Sequence, residues 1–282
     1  MTTDVDTQLL RLRLLRSAEE LTPLPAAVTH LAQVLHDPDT GPDEVADAIH
    51  KDPVLTATVL REANSSWVAA NSAIETVERA FILLGRARLL MLSIKGHVNE
   101  RLQPALPQYG MAKGELWQHS VVSATAASVV RDTANADPGG AALTAALLHD
   151  LSKLVLCDYI DFRQLDPAWQ QYPVTQIERH LLDIDHAELG GIITRRWGLP
   201  DSISDAIECH HDPEASHDPL AAHTVAIADA IAHDVLDNLD GDPEVSGQRI
   251  NAVADSLDAL ELSGTSWHTM ARRTLEIVAA GD

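Results

Sequence analysis

Histidine and aspartate side chains that could bind metal ions recur through the middle and second half of this 282-residue chain. His149 and Asp150 are adjacent at the end of an apolar stretch, and Asp229 lies in an alanine-rich run. Buried polar groups cost free energy unless they find partners. Imidazole and carboxylate suit zinc, iron, manganese or nickel, and a bridging carboxylate can hold two ions. The candidate ligands are His119, His149, Asp150, His186, His210, His211 and Asp229.

The other histidines are predicted to be ordinary helical or loop residues, because a single histidine in a helix is more often a hydrogen-bonded core or surface group than a ligand. This group consists of His30, His36, His50, His97, His180, His217, His223, His233 and His268. Cysteine is not needed for the predicted site. The chain has two cysteines and no CxxC motif, which argues against a cysteine-rich zinc site.

Helices must position these ligands. Aromatic residues make up only 4% of the chain, and alanine and leucine recur three and four residues apart, so we expect an all-α fold of two packed helical subdomains. Helices are predicted to start at Pro42 and after Asp52, and a capping box at 72–75 predicts a third start. Gly85 is expected to end that third helix.

The second half has its own series of helix signals. The ligands are predicted to lie on or beside helices at about 113–131, 141–149, 186–197, 201–210 and 219–236. Gly190 and Gly191 are expected to allow close helix packing, and Trp117, Trp197 and Trp267 to act as core or interface anchors. The aspartate-rich stretch 234–242 is predicted to be a solvated loop before terminal helices.

A cluster of Pro104, Pro107 and Gly110 marks the predicted boundary between the two subdomains. This gives an N-terminal helical subdomain at 1–105, a metal-site subdomain of helical-bundle type at 106–236, and an acidic loop with terminal helices at 237–282.

Charge and hydropathy limit the classes of partner. The formal net charge is -22, so the chain would repel phosphate backbones, and general binding of nucleic acid is not expected. Apolar stretches are interrupted well before the roughly 18 residues that a membrane span needs. The first residues are acidic where a signal peptide would be basic, which predicts a cytoplasmic location and no membrane association.

The order His119, His149-Asp150, Asp229 resembles the H…HD…D motif of the HD superfamily of helical metal-dependent phosphohydrolases. Further motifs, spread over roughly residues 15–235, resemble one branch of it, the HDOD domain. They are Leu21-Thr22-Pro23-Leu24-Pro25, Asp52-Pro53-Val54-Leu55-Thr56, Leu147 to Lys153, His186-Ala187-Glu188-Leu189-Gly190 and Trp197-Gly198-Leu199-Pro200. The resemblance implies a module of bacterial signal transduction, because HDOD domains are generally regarded as regulatory and many have lost metal ligands.

Every ligand position of the superfamily motif is filled in this chain. The resemblance places His119, His149, Asp150 and Asp229 on the basic ligand set, and the later histidines on the extra ligands of multinuclear members. It also implies that Lys153 could contact a phosphate. Asp212-Pro213-Glu214 follows His211 in place of the Gly-Tyr-Pro element of cyclic di-GMP phosphodiesterases, so that activity is not expected. Ser152 replaces the usual glycine after the His-Asp pair.

Three hypotheses follow. The chain is a regulatory HDOD module that binds a signalling protein or a small phosphorylated ligand, with a structural metal. Alternatively, it is a metal-dependent phosphohydrolase with one or two ions of iron, manganese, zinc or nickel, in which Asp150 and Lys153 take part in catalysis. The third hypothesis is a buried hydrogen-bond network without metal.

Overall fold

The computed structural model describes residues 4–37, 39–64, 73–136, 139–160, 167–238 and 247–281. Within these ranges the chain is built of α-helices and short 3-10 helices, with no β-strand and one isolated antiparallel bridge between Leu106 and Met111. The predicted all-α class is confirmed. None of the described helices is both long and apolar enough to cross a membrane.

Five helices form the first part of the fold. They are α1 (Asp4–Glu20), α2 (Ala26–His36), α3 (Pro42–His50), α4 (Pro53–Ala63) and α5 (Val77–Val98). The start signals of α3 and α4 act as predicted. Pro42 occupies the first turn of α3, and the carboxylate of Asp52 accepts hydrogen bonds from the backbone N–H groups of Val54 and Leu55.

The predicted start of α5 needs correction. Residues 73–75 are not helical, and α5 begins at Val77 after Thr76, whose hydroxyl accepts from the backbone N–H of Arg79. Ser72 of the predicted capping box lies outside the described residues. Gly85 ends the first helical segment of α5, as predicted: its φ of 75° and ψ of 168° are not helical, and a second helical segment follows this kink and runs to Val98. The lack of a side chain permits this positive φ.

Ten further helices form the rest of the described chain. They are α6 (Glu115–Thr133), α7 (Ala141–Leu148), α8 (Lys153–Leu156), α9 (Val174–Leu182), α10 (His186–Arg196), α11 (Asp201–Glu208), α12 (Pro219–Asp237), α13 (Gly247–Ala252), α14 (Ala254–Ala259) and α15 (Gly264–Gly281). The helices α6, α11 and α12 all pack against α7, which is central to the fold. Every residue of α7 is buried, so this helix lies entirely in the core of the protein.

Two glycines bring α10 and α11 close together, as predicted. A Cβ atom on Gly190 would lie 2.9 Å from Cγ2 of Ile207, and one on Gly191 would lie 2.8 Å from Cβ of Glu208. Such distances are too short for real carbon atoms, so only glycine allows this approach. The close packing places His186, at the start of α10, near the residues that follow α11.

The predicted solvated loop at 234–242 is wrong at its beginning. Asp234 belongs to α12 and is fully buried, because its carboxylate accepts hydrogen bonds from Arg249 at 2.6 Å and from the indole of Trp267 at 2.9 Å. A buried carboxylate with two such donors is stabilised inside the protein. Residues 239–246 of the predicted loop lie outside the described residues. Trp267 is fully buried, in agreement with its predicted role as a core anchor.

Candidate metal centre

The structure brings all the predicted ligands into one cluster around Asp150. Oδ2 of Asp150 lies 3.6 Å from Nε2 of His119 and 3.5 Å from Nε2 of His149. The same two nitrogens lie 3.0 and 3.4 Å from Oδ1 of Asp229. Two imidazoles from α6 and the end of α7 therefore face two carboxylates, one of them supplied by α12.

A second group of donors lies on the other side of Asp150. His186, His210 and His211 each offer a ligand atom within 4.8 Å of the others. Nε2 of His186 is 2.9 Å from Nε2 of His211 and 3.4 Å from Oδ1 of Asp150. The two oxygens of the Asp150 carboxylate thus face two different sets of histidines, which is the arrangement that a bridging carboxylate requires.

Backbone carbonyls fix the orientation of two of the rings. Nδ1 of His149 donates to the carbonyl of Ala146 at 2.9 Å, and Nδ1 of His210 donates to the carbonyl of Ile207 at 2.6 Å. A histidine whose Nδ1 carries the proton has a free lone pair on Nε2 when the ring is neutral. In its neutral form each ring therefore presents Nε2 to the cluster as a ligand atom.

Glu178 orients a third ring and was not predicted from the sequence. It is fully buried on α9, and its Oε2 accepts from the backbone N–H of His186 at 2.9 Å and from Nδ1 of the same residue at 2.7 Å. Tyr109 donates its hydroxyl proton to the other carboxylate oxygen at 2.8 Å. A carboxylate behind a metal-binding histidine holds the ring in place and makes it a better ligand.

Ser152 links the His149-Asp150 turn to the second histidine group. Its hydroxyl donates to the carbonyl of His186 at 2.5 Å, and its φ of -68° is an ordinary right-handed value. The replacement of glycine by serine at this position therefore leaves the turn unstrained and adds a hydrogen bond.

The donors fit a metal ion better than a network of hydrogen bonds alone. Nε2 of His210 is buried and has no hydrogen-bond partner among the described residues. A buried polar atom without a partner costs free energy, whereas a divalent ion would satisfy this lone pair. The hypothesis of a metal-free network requires every buried polar group to be satisfied, and His210 does not meet that requirement.

Burial sets the protonation state of several histidines. It lowers the pKa of His119 and holds that of His210 well below the usual range. Desolvation of the ring together with the nearby His186 lowers the pKa of His211 to about 4, although the residue as a whole keeps an exposed surface. Burial also disfavours the charged form of His149, but the nearby Asp150 and Asp229 outweigh it and raise the pKa of that ring. Three of these histidines are therefore neutral at pH 7, as metal ligands must be.

The carboxylates stay ionised despite their burial. Burial alone would raise the pKa of Asp150, but Lys153 and the surrounding histidines outweigh it and hold this pKa well below its usual range. For Asp229, hydrogen bonds from His119 and His149 outweigh burial in the same way. Ionised oxygens and neutral nitrogens together form a donor set ready for a divalent ion.

Lys153 lies at the edge of the cluster. Its Nζ donates to Oδ2 of Asp150 at 2.7 Å and lies 5.6 Å from the centre of the Tyr109 ring. Burial alone would lower the pKa of Lys153, yet the charge of Asp150 outweighs it and raises that pKa. The lysine is thus a fixed positive charge beside the Asp150 carboxylate.

One side of the cluster is open to solvent. The side chains of His119, His149 and Asp150 are at most 2% exposed, whereas that of Asp229 is 21% exposed. His233, predicted to be an ordinary helical or loop residue, lies on this open side with 46% of its side chain exposed. Its Nε2 is 3.5 Å from Oδ1 of Asp229. Its spacing of four residues from Asp229 on a predicted helix was the signal that could have identified it.

Comparison with known proteins identifies the family. The HDOD domain matches residues 21–213 of this chain, which is more than half of its length. The chain belongs to the HDOD family. This HDOD chain is also 21% identical over 200 residues to an uncharacterized protein of Treponema pallidum (strain Nichols), in a match that covers 69% of the chain. The match spans only 38% of that curated relative's length.

Solved structures share the fold of this HDOD chain. An HDOD domain protein of unknown function from Geobacter sulfurreducens matches it with a TM-score of 0.66 and 25% identity, covering 98% of this chain and 97% of that one. A protein of Shewanella amazonensis SB2B, named provisionally as a phosphohydrolase, matches with a TM-score of 0.65 and 22% identity over 95% of both chains. The second likeness shows the fold alone.

Proposed function

We propose that this HDOD protein is a metal-dependent phosphohydrolase that acts on a small phosphorylated ligand. The observation that carries the proposal is the position of the Asp150 carboxylate, whose two oxygens face two separate groups of histidines. The cluster that these residues form is exposed to solvent at Asp229 and His233. Structural metal sites are usually closed by protein ligands, whereas catalytic sites keep an open position. The open side at Asp229 is where a substrate would enter.

The residues of the cluster would bind two metal ions. His119, His149, Asp150 and Asp229 would hold one ion, and His186, His210 and His211 the other, with Asp150 between them. Ions bound there supply Lewis acidity and a water nucleophile that is activated near neutral pH. Zinc, iron, manganese and nickel all suit this donor set.

Lys153 and the charge of the protein define the class of substrate. The ammonium group of Lys153 would offset negative charge on the phosphate oxygens during the reaction. The net charge of -22 disfavours long polyanions, while a small phosphate ester is attracted only by the local charge of the site. We therefore propose a phosphomonoester, a phosphodiester or a nucleotide as the substrate.

The test combines metal analysis with turnover. The protein is purified without chelator or affinity metal, its metal content is measured, and hydrolysis of a panel of phosphomonoesters, phosphodiesters and nucleotides is followed with added Mn²⁺ or Fe²⁺. We expect about two ions per chain and hydrolysis that Asp150→Asn abolishes. Asp158→Asn, a change at an exposed carboxylate, is the matched control and should behave like the wild type. Metal that binds to the protein without hydrolysis of any of these esters would overturn the proposal that the protein is a hydrolase.

A second candidate function is a regulatory module in which the metal is structural. One observation favours it: α5, from the first part of the fold, packs directly on α7, which leads into His149 and Asp150. A signalling protein that altered α5 would act on the helix that supports the site. Specific capture of such a protein from the native host, together with bound metal and no hydrolysis, would support this function over the first.

A further inference from the structure

We propose that His233 is an additional metal ligand, which binds the same ion as His119 and Asp229 from the solvent side. This inference rests on the proposed function of the cluster as a metal site. The three residues each offer a donor atom within 4.8 Å of the others. The His233 and His119 rings lie with their centres 4.7 Å apart, and Nε2 of His233 is 3.5 Å from Oδ1 of Asp229.

The geometry of α12 explains why His233 faces the cluster. Asp229 and His233 are four residues apart, so their side chains lie one above the other on the same face of the helix. Asp234, the next residue, lies on a different face and is bound by Arg249 and Trp267. One helix therefore presents two ligand candidates to the site while its neighbouring aspartate is held in the core.

The exposure of His233 distinguishes it from the other histidines on this ion. His119 and His149 are almost fully buried, whereas 46% of the His233 side chain is exposed. A half-exposed ring can leave the ion without disturbing the core. His233 would then act as an exchangeable ligand, which yields its position when a phosphate oxygen approaches from solvent.

A simpler role for His233 is an ordinary surface ion pair with Asp229. Such exposed pairs contribute little to stability, and loss of a partner behind a ligand can weaken metal binding without changing the set of ligand atoms. The two roles therefore differ in the coordination of the ion, because only removal of a ligand changes the atoms that bind it.

The test uses Co²⁺ as a spectroscopic probe on the full chain after the native metal is removed. Wild type, His233→Ala and His233→Gln are titrated, and visible absorption reports the coordination of the ion. We expect both variants to bind one ion roughly 10-fold or more weakly, with a changed spectrum. Added imidazole should restore the wild-type spectrum in His233→Ala. His268→Ala, at an exposed histidine on α15, is the matched control and should titrate like the wild type.

Each result decides between the roles. A Co²⁺ spectrum that is the same in wild type and both His233 variants, whatever the affinity, would overturn the ligand role and leave the proposed metal site intact. Failure of the wild type to bind any Co²⁺ would overturn the proposed function itself, and the ligand role with it. Equal thermal stability of the metal-free proteins checks that the substitutions act on the ion.

Discussion

Glu178 holds His186 by two hydrogen bonds at once, from the backbone N–H at 2.9 Å and from ring Nδ1 at 2.7 Å. The ring is thereby fixed with Nε2 toward Asp150 and His211. The hydroxyl of Tyr109 donates to Oε1 of the Glu178 carboxylate. The orientation of His186 therefore also depends on a residue in the segment between α5 and α6.

Replacing Glu178 by glutamine should weaken the binding of one ion more than the binding of the other. The amide keeps the size of the side chain but loses the charge that makes His186 a strong ligand, so we expect affinity at the second group to fall by about 10–100-fold. Isothermal titration with Zn²⁺ measures both affinities. Glu276→Gln, at an exposed carboxylate on α15, is the control. An equal loss at both ions would contradict the assignment of Glu178 to the second group.

Metal should stabilise the wild type but not Asp150→Ala. An ion that binds only the folded state adds about 2.7 kcal/mol to the free energy of unfolding when its concentration is 100 times its Kd. We therefore expect the thermal midpoint of the wild type to rise with added Mn²⁺ and that of Asp150→Ala to stay constant. If the variant were destabilised and neither protein responded to metal, a hydrogen-bond network would be the better description.

The low pKa of His211 predicts how the metal-free protein responds to acid. Between its unfolded value near 6.5 and its folded value of about 4, the unfolded chain binds a proton that the folded chain does not. The contribution of His211 to stability is therefore complete above about pH 6.5 and is lost as the pH falls toward 4.

Urea unfolding of the metal-free protein at pH 7.5, 6 and 5 checks this response. His211→Gln should lose less stability than the wild type over this interval. The difference between the two profiles reports the loss of His211, including its effect on the pKa of His210, because the other shifted histidines are present in both proteins. Parallel pH profiles for the two proteins would show that the prediction is wrong.

Gly190→Ala should destabilise the fold by separating α10 from α11. The new methyl group would lie 2.9 Å from Cγ2 of Ile207, and overpacking of this kind costs about 1–3 kcal/mol. Gly96→Ala is the control, because Gly96 is an exposed helical glycine with open space around its Cβ position, so that change should be neutral or slightly stabilising. Urea unfolding measures the stability of both variants. If Gly190→Ala were as stable as the wild type, tight packing at Gly190 would be excluded.

Local signals in the sequence were sufficient for much of the fold and for the candidate ligands. Asp52 caps α4 because a carboxylate before a proline satisfies free N–H groups wherever the rest of the chain lies. His149 and Asp150 follow an apolar helix that is buried throughout, so their burial follows from the hydropathy of α7. The order of the motifs then predicted which other residues would join them.

The supporting residues could not be predicted, because their roles depend on contacts between elements. Glu178 is the single acid on an amphipathic helix, and the packing of α9 beside α10 buries it against His186. His233 was judged as a single histidine instead of as a partner of Asp229 one turn earlier. The second helical segment of α5, which follows Gly85 and runs to Val98, was likewise not predicted.

The placement of Asp229 on α12 also affects where a working fragment of this protein could be cut. The family match ends at residue 213, sixteen residues before Asp229. A protein trimmed to the matched segment would keep His119, His149, Asp150, His186, His210 and His211 but lose both Asp229 and His233. Asp234 extends this dependence further, because Arg249 and Trp267 secure α12 from the terminal helices. The candidate site therefore extends beyond the segment that the family match covers.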